Sequence, residues 1–465
     1  MVETKDSFKG YRGRAKQLLI DQNARVWADC AIETKQGLFE GIILPRSEQA
    51  DDLHIVVKLV SGYNVGLAVA SIKSIVERDY KEANYKIPEK AFPFDPAKPN
   101  VTLLGTGGTI ASRLDYRTGA VIPAFTPGEL YGSCPELADI CNLETKKLFG
   151  VFSENMGPEQ YMITAREIAR AVNEDKVAGI IIGHGTDTLH HTAAALSFML
   201  QDLPVPVVLV GSQRSSDRPS SDAAFNLQCA AQSAAFGDIA EVMVCMFGPT
   251  SDRYNLLHRG TRVRKMHSSY RSTFRTLGDI PLATVEPTAP PKPIRPDYNK
   301  RNADRKLKLY DTFEERVAML YYYPNMHPDI VDSMVDNGYK GILIAGTGLG
   351  HVNKPLYPAL KRAIDSGVAV YMTVQTLWGY AQMYVYDTGR DLMELGVVPL
   401  GNMLPEVGYI KLGWALGMSS DLDEVKRLML DPIAGEITPR EQYNAYVVLQ
   451  GGMPEVDEFL HNNWR

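Results

Sequence analysis

The stretch Gly179-Ile-Ile-Ile-Gly-His-Gly-Thr-Asp-Thr188 constrains the fold of this chain more than any other. Its three isoleucines read as a buried strand, Gly183 and Gly185 permit a sharp turn, and the apolar-periodic segment from Leu189 to Gln201 reads as a helix. Leu189, Ala193, Leu196 and Leu200 share one helical face, which would pack on the sheet. This order leaves Thr186 and Asp187 at the carboxyl end of a strand, where ligands of open α/β sheets bind.

A chain of 465 residues exceeds a single core, so two or three domains are expected. Hydrophobic content of 45% and charged content of 22% exclude wholesale disorder. A net charge of -6 argues against a general nucleic-acid coat and leaves only a local basic patch open. The five cysteines (Cys30, Cys134, Cys141, Cys229, Cys245) are odd in number and lack any Cys-x-x-Cys, which disfavours a disulfide framework or zinc cage. The first residues carry no apolar signal region, and no run approaches the ~18 apolar residues of a membrane span. A soluble, cytoplasmic protein without membrane partners is expected.

Residues 1–85 contain short, β-rich, Gly-punctuated segments: 24–32, 37–44, 53–59, 64–69 and 72–76. Their spacing suits a small β-barrel, read either as a stability or dimerisation appendage or as a docking module for RNA or a partner. The proline-rich stretch 86–100 reads as a linker. Strands at 101–104, 179–182, 205–210 and 241–247 then alternate with helices at 161–173 and 223–236, implying a mostly parallel sheet covered on both faces over residues 101–285. A second proline cluster, Pro287 through Pro296, and the basic run from Asn299 to Lys308 read as a solvated linker over 286–315. From 316 to 465 the α/β texture resumes, with strands at 317–323, 341–345 and 368–374 and helices at 328–337, 354–366 and 422–430.

The first strand of the larger α/β region runs into Gly105-Thr-Gly-Gly-Thr-Ile-Ala-Ser112. Ile110 breaks a dinucleotide fingerprint, no Gly-Lys-Ser/Thr follows, and Gly346-Thr-Gly-Leu-Gly350 fails the same test at His351. What remains distinctive is Thr109 at the end of that strand. Thr109, Thr186 and Asp187 would individually serve as helix caps. Together they put two hydroxyls and a carboxylate at neighbouring strand ends, and Lys265 follows a later strand. A threonine hydroxyl needs a base to become a nucleophile, and a lysine serves when burial or a nearby cation lowers its pKa. Such a set fits acyl transfer without metal or cofactor.

Thr106-Gly-Gly-Thr-Ile-Ala111, Ser153-Glu-Asn-Met156, His184-Gly-Thr-Asp-Thr188, Val210-Gly-Ser-Gln213, Ser221-Asp-Ala-Ala-Phe-Asn-Leu227 and the Lys265 segment together resemble the L-asparaginase/glutaminase family. The resemblance runs from about residue 100 to the C-terminus. It implies a two-domain fold, larger N-terminal and smaller C-terminal α/β domains, here preceded by the small β-barrel. The β-rich extension and the segment Asp115-Tyr-Arg-Thr-Gly-Ala-Val121 resemble the D-subunit branch of archaeal glutamyl-tRNA(Gln) amidotransferases. In that branch Thr109 matches the nucleophile. Thr186 and Lys265 match the proton relay, Asp187 the group holding the substrate α-ammonium, Ser153 a carboxylate contact and Glu154 an ammonium contact. The Thr186 N–H with a donor near Ser212 matches an oxyanion site. Ala120-Val-Ile-Pro123 lacks the family's lid tyrosine, and Tyr116 is the candidate substitute. The resemblance further implies glutamine (or asparagine) hydrolysis feeding ammonia to the amidotransferase E chain, which would use ATP and Mg to amidate Glu-tRNA(Gln). The expected assembly is a dimer of heterodimers. The competing reading is a stand-alone L-asparaginase.

Overall fold

The structure is a computed structural model that describes residues 7–8, 10–46, 50–80, 93–107, 112–115, 120–123, 134–214, 220–249, 251–442 and 445. Helix α1 (Gly13–Asp21) precedes five strands: β1 (Ala28–Thr34), β2 (Gly37–Ile43), β3 (His54–Leu59), β4 (Asn64–Ala68) and β5 (Ile72–Tyr80). These pair in the order β4-β3-β2-β1-β5. Ala28, Cys30 and Ile32 alternate inward to meet Ile55, Val57 and Leu19 in a core of their own. The sequence pattern reveals the strands but not α1, which buries only Ala15 and Leu19 and has no side-chain cap to announce it.

The next sheet has eight strands. They are β6 (Asn100–Gly105), β7 (Asn142–Lys147), β8 (Gly179–Gly183), β9 (Val207–Val210), β10 (Val242–Phe247), β11 (Asn255–Arg259), and, beyond a hairpin formed by β12 (Val263–Lys265) and β13 (Phe274–Thr276), β14 (Ala283–Glu286) and β15 (Ala289–Pro293). The order is β15-β14-β11-β10-β9-β8-β6-β7. The five strands from β10 to β7 run parallel, and β11, β14 and β15 are antiparallel additions. Both faces are covered. Ile180 and Ile182 of β8 pack with α2 (Pro158–Arg170) and α3 (Leu189–Met199) on one face, and Ile181 meets α4 (Ala223–Phe236) on the other. From β6 the chain crosses to β7 on one side, then returns to build β8, β9 and β10 on the opposite side. The carboxyl ends of β6 and β8 therefore flank a switch point, where such sheets open a crevice.

Four expectations are corrected. The helix after Gly185 ends at Met199, and Leu200–Gln201 leave it to pair with Lys308–Leu309. That helix is also buried on nearly every side instead of along one face, because a helix of the C-terminal region, Pro405–Met418, closes over it. Phe198 and Trp414 stack there with centroids 5.9 Å apart. Part of the second proline cluster is not linker but the edge strand β15. An edge position spares proline the ladder donor it lacks. Nor is the basic run wholly solvated. Arg301 is half-buried and donates to Gly237 O and Ala234 O at 3.0 Å, satisfying carbonyls that the end of α4 leaves open.

The C-terminal sheet holds four parallel strands, β16 (Val317–Tyr321), β17 (Gly341–Gly346), β18 (Ala369–Val374) and β19 (Val398–Pro399). Helices α5 (Asp329–Asp336), α6 (Tyr357–Asp365) and α7 (Asp387–Leu395) cover one face through Val331, Leu360 and Leu392. The other face meets α8 (Pro405–Met418), followed by α9 (Leu422–Leu430). One continuous apolar cluster runs through Leu196, Phe198, Val407, Ile410 and Trp414, so α3 and α8 join the two sheets.

Candidate active site

Gly185 of the β8–α3 turn and Gly211 of the loop after β9 are required by what crowds against them. A Cβ at Gly185 would lie 2.8 Å from Ser153 Cβ, and one at Gly211 would lie 2.8 Å from Thr186 Cγ2. Three segments thus converge at the switch point: the turn itself, the 153–155 turn, and the loop after β9. The first strand's turn joins them, since Thr106 donates to Gly183 O through its N–H at 3.0 Å and its hydroxyl at 2.9 Å.

Thr186 is buried, whereas the Asp187 side chain is 68% exposed and open to a ligand. Lys265 ends strand β12, and its Nζ donates to Thr186 Oγ1 at 2.9 Å and to Asp187 Oδ1 at 2.8 Å. Neither Thr186 nor Asp187 caps α3: the residue before the helix is Thr188, whose hydroxyl donates to Ser153 O at 2.5 Å. The simple capping reading is therefore not how these residues are used. Ser153 is buried beside the turn, and Glu154 is exposed on the same short helical turn. Ser212 is fully buried in the loop after β9. Thr109 and Tyr116 lie outside the described residues.

The surroundings keep their histidines neutral. His184 Nδ1 faces Gly185 O at 2.6 Å and must donate to it, so Nε2 accepts from Thr192 Oγ1 at 2.8 Å. Burial pulls His184 and His191 down to about 4 and His190 well below its ordinary value. Sequence reasoning assigns no role to His184, although Gly-His-Gly at a strand end marks a side chain that must turn inward.

Asp222 is a second residue that sequence reasoning leaves without a role. Its buried carboxylate accepts from Gln213 N at 3.1 and 3.0 Å and from Arg214 N at 3.0 Å. Asn226 Nδ2, one helical turn on, donates to Asp222 Oδ2 and to Gly211 O at 2.9 Å each. This pair holds the Gly211–Ser212 loop against Thr186. The signal is the four-residue spacing of Asp222 and Asn226, which puts both on one face of a helix start.

Among the described residues no three His, Cys, Asp or Glu side chains gather as metal ligands would, and no helix is long and apolar enough to cross a membrane. All five cysteines are buried and free. A polar cleft of about 620 Å³ lined by Glu241, Arg259 and Asp297 lies at the opposite, amino end of the parallel strands. Its Arg259 is already engaged by Glu241 at 2.7 and 3.0 Å.

Family models match three stretches: "GatD N-terminal domain" over residues 26–76, "Asparaginase, N-terminal" over 100–292 and "Glutaminase/Asparaginase C-terminal domain" over 316–429. The D subunit of the Thermococcus kodakarensis glutamyl-tRNA(Gln) amidotransferase is 50% identical over 410 residues, covering 88% of this chain and 92% of that one. The corresponding D subunit of Pyrococcus furiosus is 50% identical over 412 residues, covering 88% and 93%. Among solved structures, the thermostable L-asparaginase from Thermococcus kodakarensis is 30% identical with a TM-score of 0.65, covering 73% of this chain and 99% of that one.

Proposed function

This chain belongs to the family of glutamyl-tRNA(Gln) amidotransferase D subunits, and on that premise we propose that it hydrolyses glutamine and supplies the ammonia used to convert Glu-tRNA(Gln) to Gln-tRNA(Gln). The observation that carries the reading is the Lys265 amine held between Thr186 Oγ1 and Asp187 Oδ1 at the crevice of the larger sheet.

The chemistry divides into two displacements. Thr109 Oγ attacks the side-chain amide carbonyl and forms an ester. The C–N bond breaks as a proton reaches the leaving nitrogen, which departs as ammonia. Water then cleaves the ester, releases glutamate and restores the Thr109 hydroxyl. Thr186 and Lys265 move the protons: Lys265 as an ammonium donates to Thr186, and once it loses a proton it can accept from it. Asp187, exposed beside them, holds the substrate α-ammonium, with Glu154 as a further anionic contact. Ser153 contacts the α-carboxylate, the Thr186 N–H and the Ser212 loop receive the oxyanion, and Tyr116 serves the lid. The partner, the amidotransferase E chain, binds Glu-tRNA(Gln) and carries out the ATP- and Mg-dependent activation. The complex is a cytoplasmic dimer of D–E heterodimers.

The test is ammonia release from glutamine and from asparagine by the full chain, alone and with the partner chain and Glu-tRNA(Gln), with Thr109→Ala as control. Glutaminase activity that rises with partner and tRNA and is lost in Thr109→Ala is expected. Asparaginase activity in the lone chain, indifferent to both additions, would overturn the reading in favour of a stand-alone L-asparaginase.

A further inference from the structure

Strand β9 stops at Val210 on both sides, against Gly183 of β8 and Cys245 of β10. The last ladder bond toward the crevice is His184 N to Val210 O at 2.9 Å. Beyond it the chain runs on as Gly211-Ser-Gln-Arg214, packed against the turn that carries Thr186. A Cβ at Gly211 would lie 2.8 Å from Thr186 Cγ2 and 2.9 Å from His184 O. Backbone groups buried past the end of a ladder need other partners.

Two side chains at the start of α4 supply them. Asp222 is fully buried and accepts from Gln213 N and Arg214 N. Asn226, equally buried, donates to Gly211 O and to Asp222 Oδ2. Asn255 on β11 donates to Asn226 Oδ1 at 2.9 Å, so the Asn226 amide is held with its Nδ2 toward the loop. Helix stability does not explain Asp222. It occupies the N-cap of α4, where an aspartate ordinarily accepts from N–H groups of the first turn. Its side chain makes no such bond and turns back onto the loop instead. A buried carboxylate is costly unless donors compensate it, so carboxylate and loop fix each other.

We propose that Asp222 and Asn226 are positioning residues for the reaction: they take the place of a missing strand and hold Gly211–Ser212 against Thr186, where charge develops on the substrate carbonyl oxygen. Ser212 is buried with a pinned neighbour on each side, Gly211 through its carbonyl and Gln213 through its N–H. The proposal rests on the reading that the Thr186 N–H and the Ser212 loop receive the oxyanion. Donors in such a site stabilise charge only when they are fixed in advance.

The experiment compares the parent with Asp222→Asn, which turns one acceptor oxygen into a donor facing an N–H, and Asn226→Ala, which removes the donor to Gly211 O. Ser233→Ala is the control, since it removes only the Oγ bond to Cys229 O on the same helix. Ammonia release from glutamine is followed for each full chain with the partner chain and Glu-tRNA(Gln). Amide hydrogen exchange, read by mass spectrometry, follows residues 184–189 and 208–214. In Asp222→Asn, kcat is expected to fall about 10–100-fold with KM within about threefold, and both segments exchange faster. Asn226→Ala should show the same pattern at smaller amplitude, and it decides the matter should Asp222→Asn not fold. Ser233→Ala should melt earlier with kcat unchanged. A kcat within about twofold of the parent in both loop variants overturns the proposal and leaves the pair a purely structural contact. An equal fall of kcat in Ser233→Ala overturns it as well, since general loosening then suffices. A parent that releases ammonia from neither glutamine nor asparagine overturns the functional reading instead. The exchange of 184–189 then still decides whether Asp222 and Asn226 hold the Thr186 turn, and unchanged exchange there means that they do not.

Discussion

Two glycine-rich turns close parallel strands in this molecule, Gly183–Thr188 after β8 and Gly346–His351 after β17, and they use glycine for different ends. In the second, the backbone folds on itself: Thr347 N donates to His351 O at 2.9 Å and His351 N returns to Thr347 O at 3.0 Å. Gly348 and Gly350 take φ of +50° and +100°, which side chains rarely adopt. In the first, neither Gly183 nor Gly185 has positive φ. There glycine admits a neighbour, since Ser153 crowds Gly185, and Thr186 of the same turn crowds Gly211 in the loop after β9. One turn is closed by its own backbone, with Met372 packed against Gly346 and Gly350. The other is an assembly point for four segments, with a lysine delivered to the turn's own carboxylate.

The sharpest way to break that contrast is chemical. Lys265→Met is expected to lower kcat for ammonia release at least ~100-fold with KM nearly unchanged. Activity within a few-fold of the parent would leave the β8 turn no more a site than the β17 turn.

Acid offers a second distinction. His184 and His191 near the first turn, and His258 on β11, are pulled by burial from 6.5 to about 4, 4 and 3. Because the folded values lie below the unfolded ones, the unfolded chain takes up protons first as pH falls. The stability is whole above about pH 6.5 and is lost progressively from there toward pH 4, at about 1.4 kcal/mol per pH unit for each histidine. Among the described residues the C-terminal sheet region buries no histidine in this way. Denaturant titrations from pH 7 to 5 should show the loss, and hydrogen exchange should place the earliest opening in β8 and α3 before β17 and β18. Simultaneous opening of both would remove the contrast.

Two glycine substitutions refine the comparison at smaller amplitude. Gly185→Ala would force a Cβ to 2.8 Å from Ser153, so a loss of about 1–3 kcal/mol in unfolding free energy is expected together with reduced kcat. Gly348→Ala meets nothing within 4 Å and bears only the cost of its left-handed backbone, about 1 kcal/mol. A larger loss at Gly348 than at Gly185 would reverse the assignment of roles.

Much of this arrangement is legible in the sequence. The isoleucine run, the glycines and the apolar period beyond them announce β8, its turn and the start of α3, because steric permission and hydrophobic period act between chain neighbours. The limits of α3 are less legible: its residues are apolar nearly all round, so no face marks where packing stops. The strand inside the proline cluster is hidden for a similar reason, since proline at a sheet edge looks like proline in a linker. Lys265 is recognisable by resemblance, yet 79 residues separate it from Thr186, and no spacing rule places two such side chains 2.9 Å apart.

The alternation of strands and helices, the glycine turns at strand ends, and the residue types able to perform amide chemistry are already written in the chain. These follow from backbone sterics, periodicity and functional-group chemistry, all carried by short stretches of chain. Which turns face each other, which histidines lose their charge, and which side chains meet the lysine emerge only on folding. Those depend on the order of strands in the sheet and on the closure of α8 over α3, where many distant residues contribute a little each and none carries the answer alone.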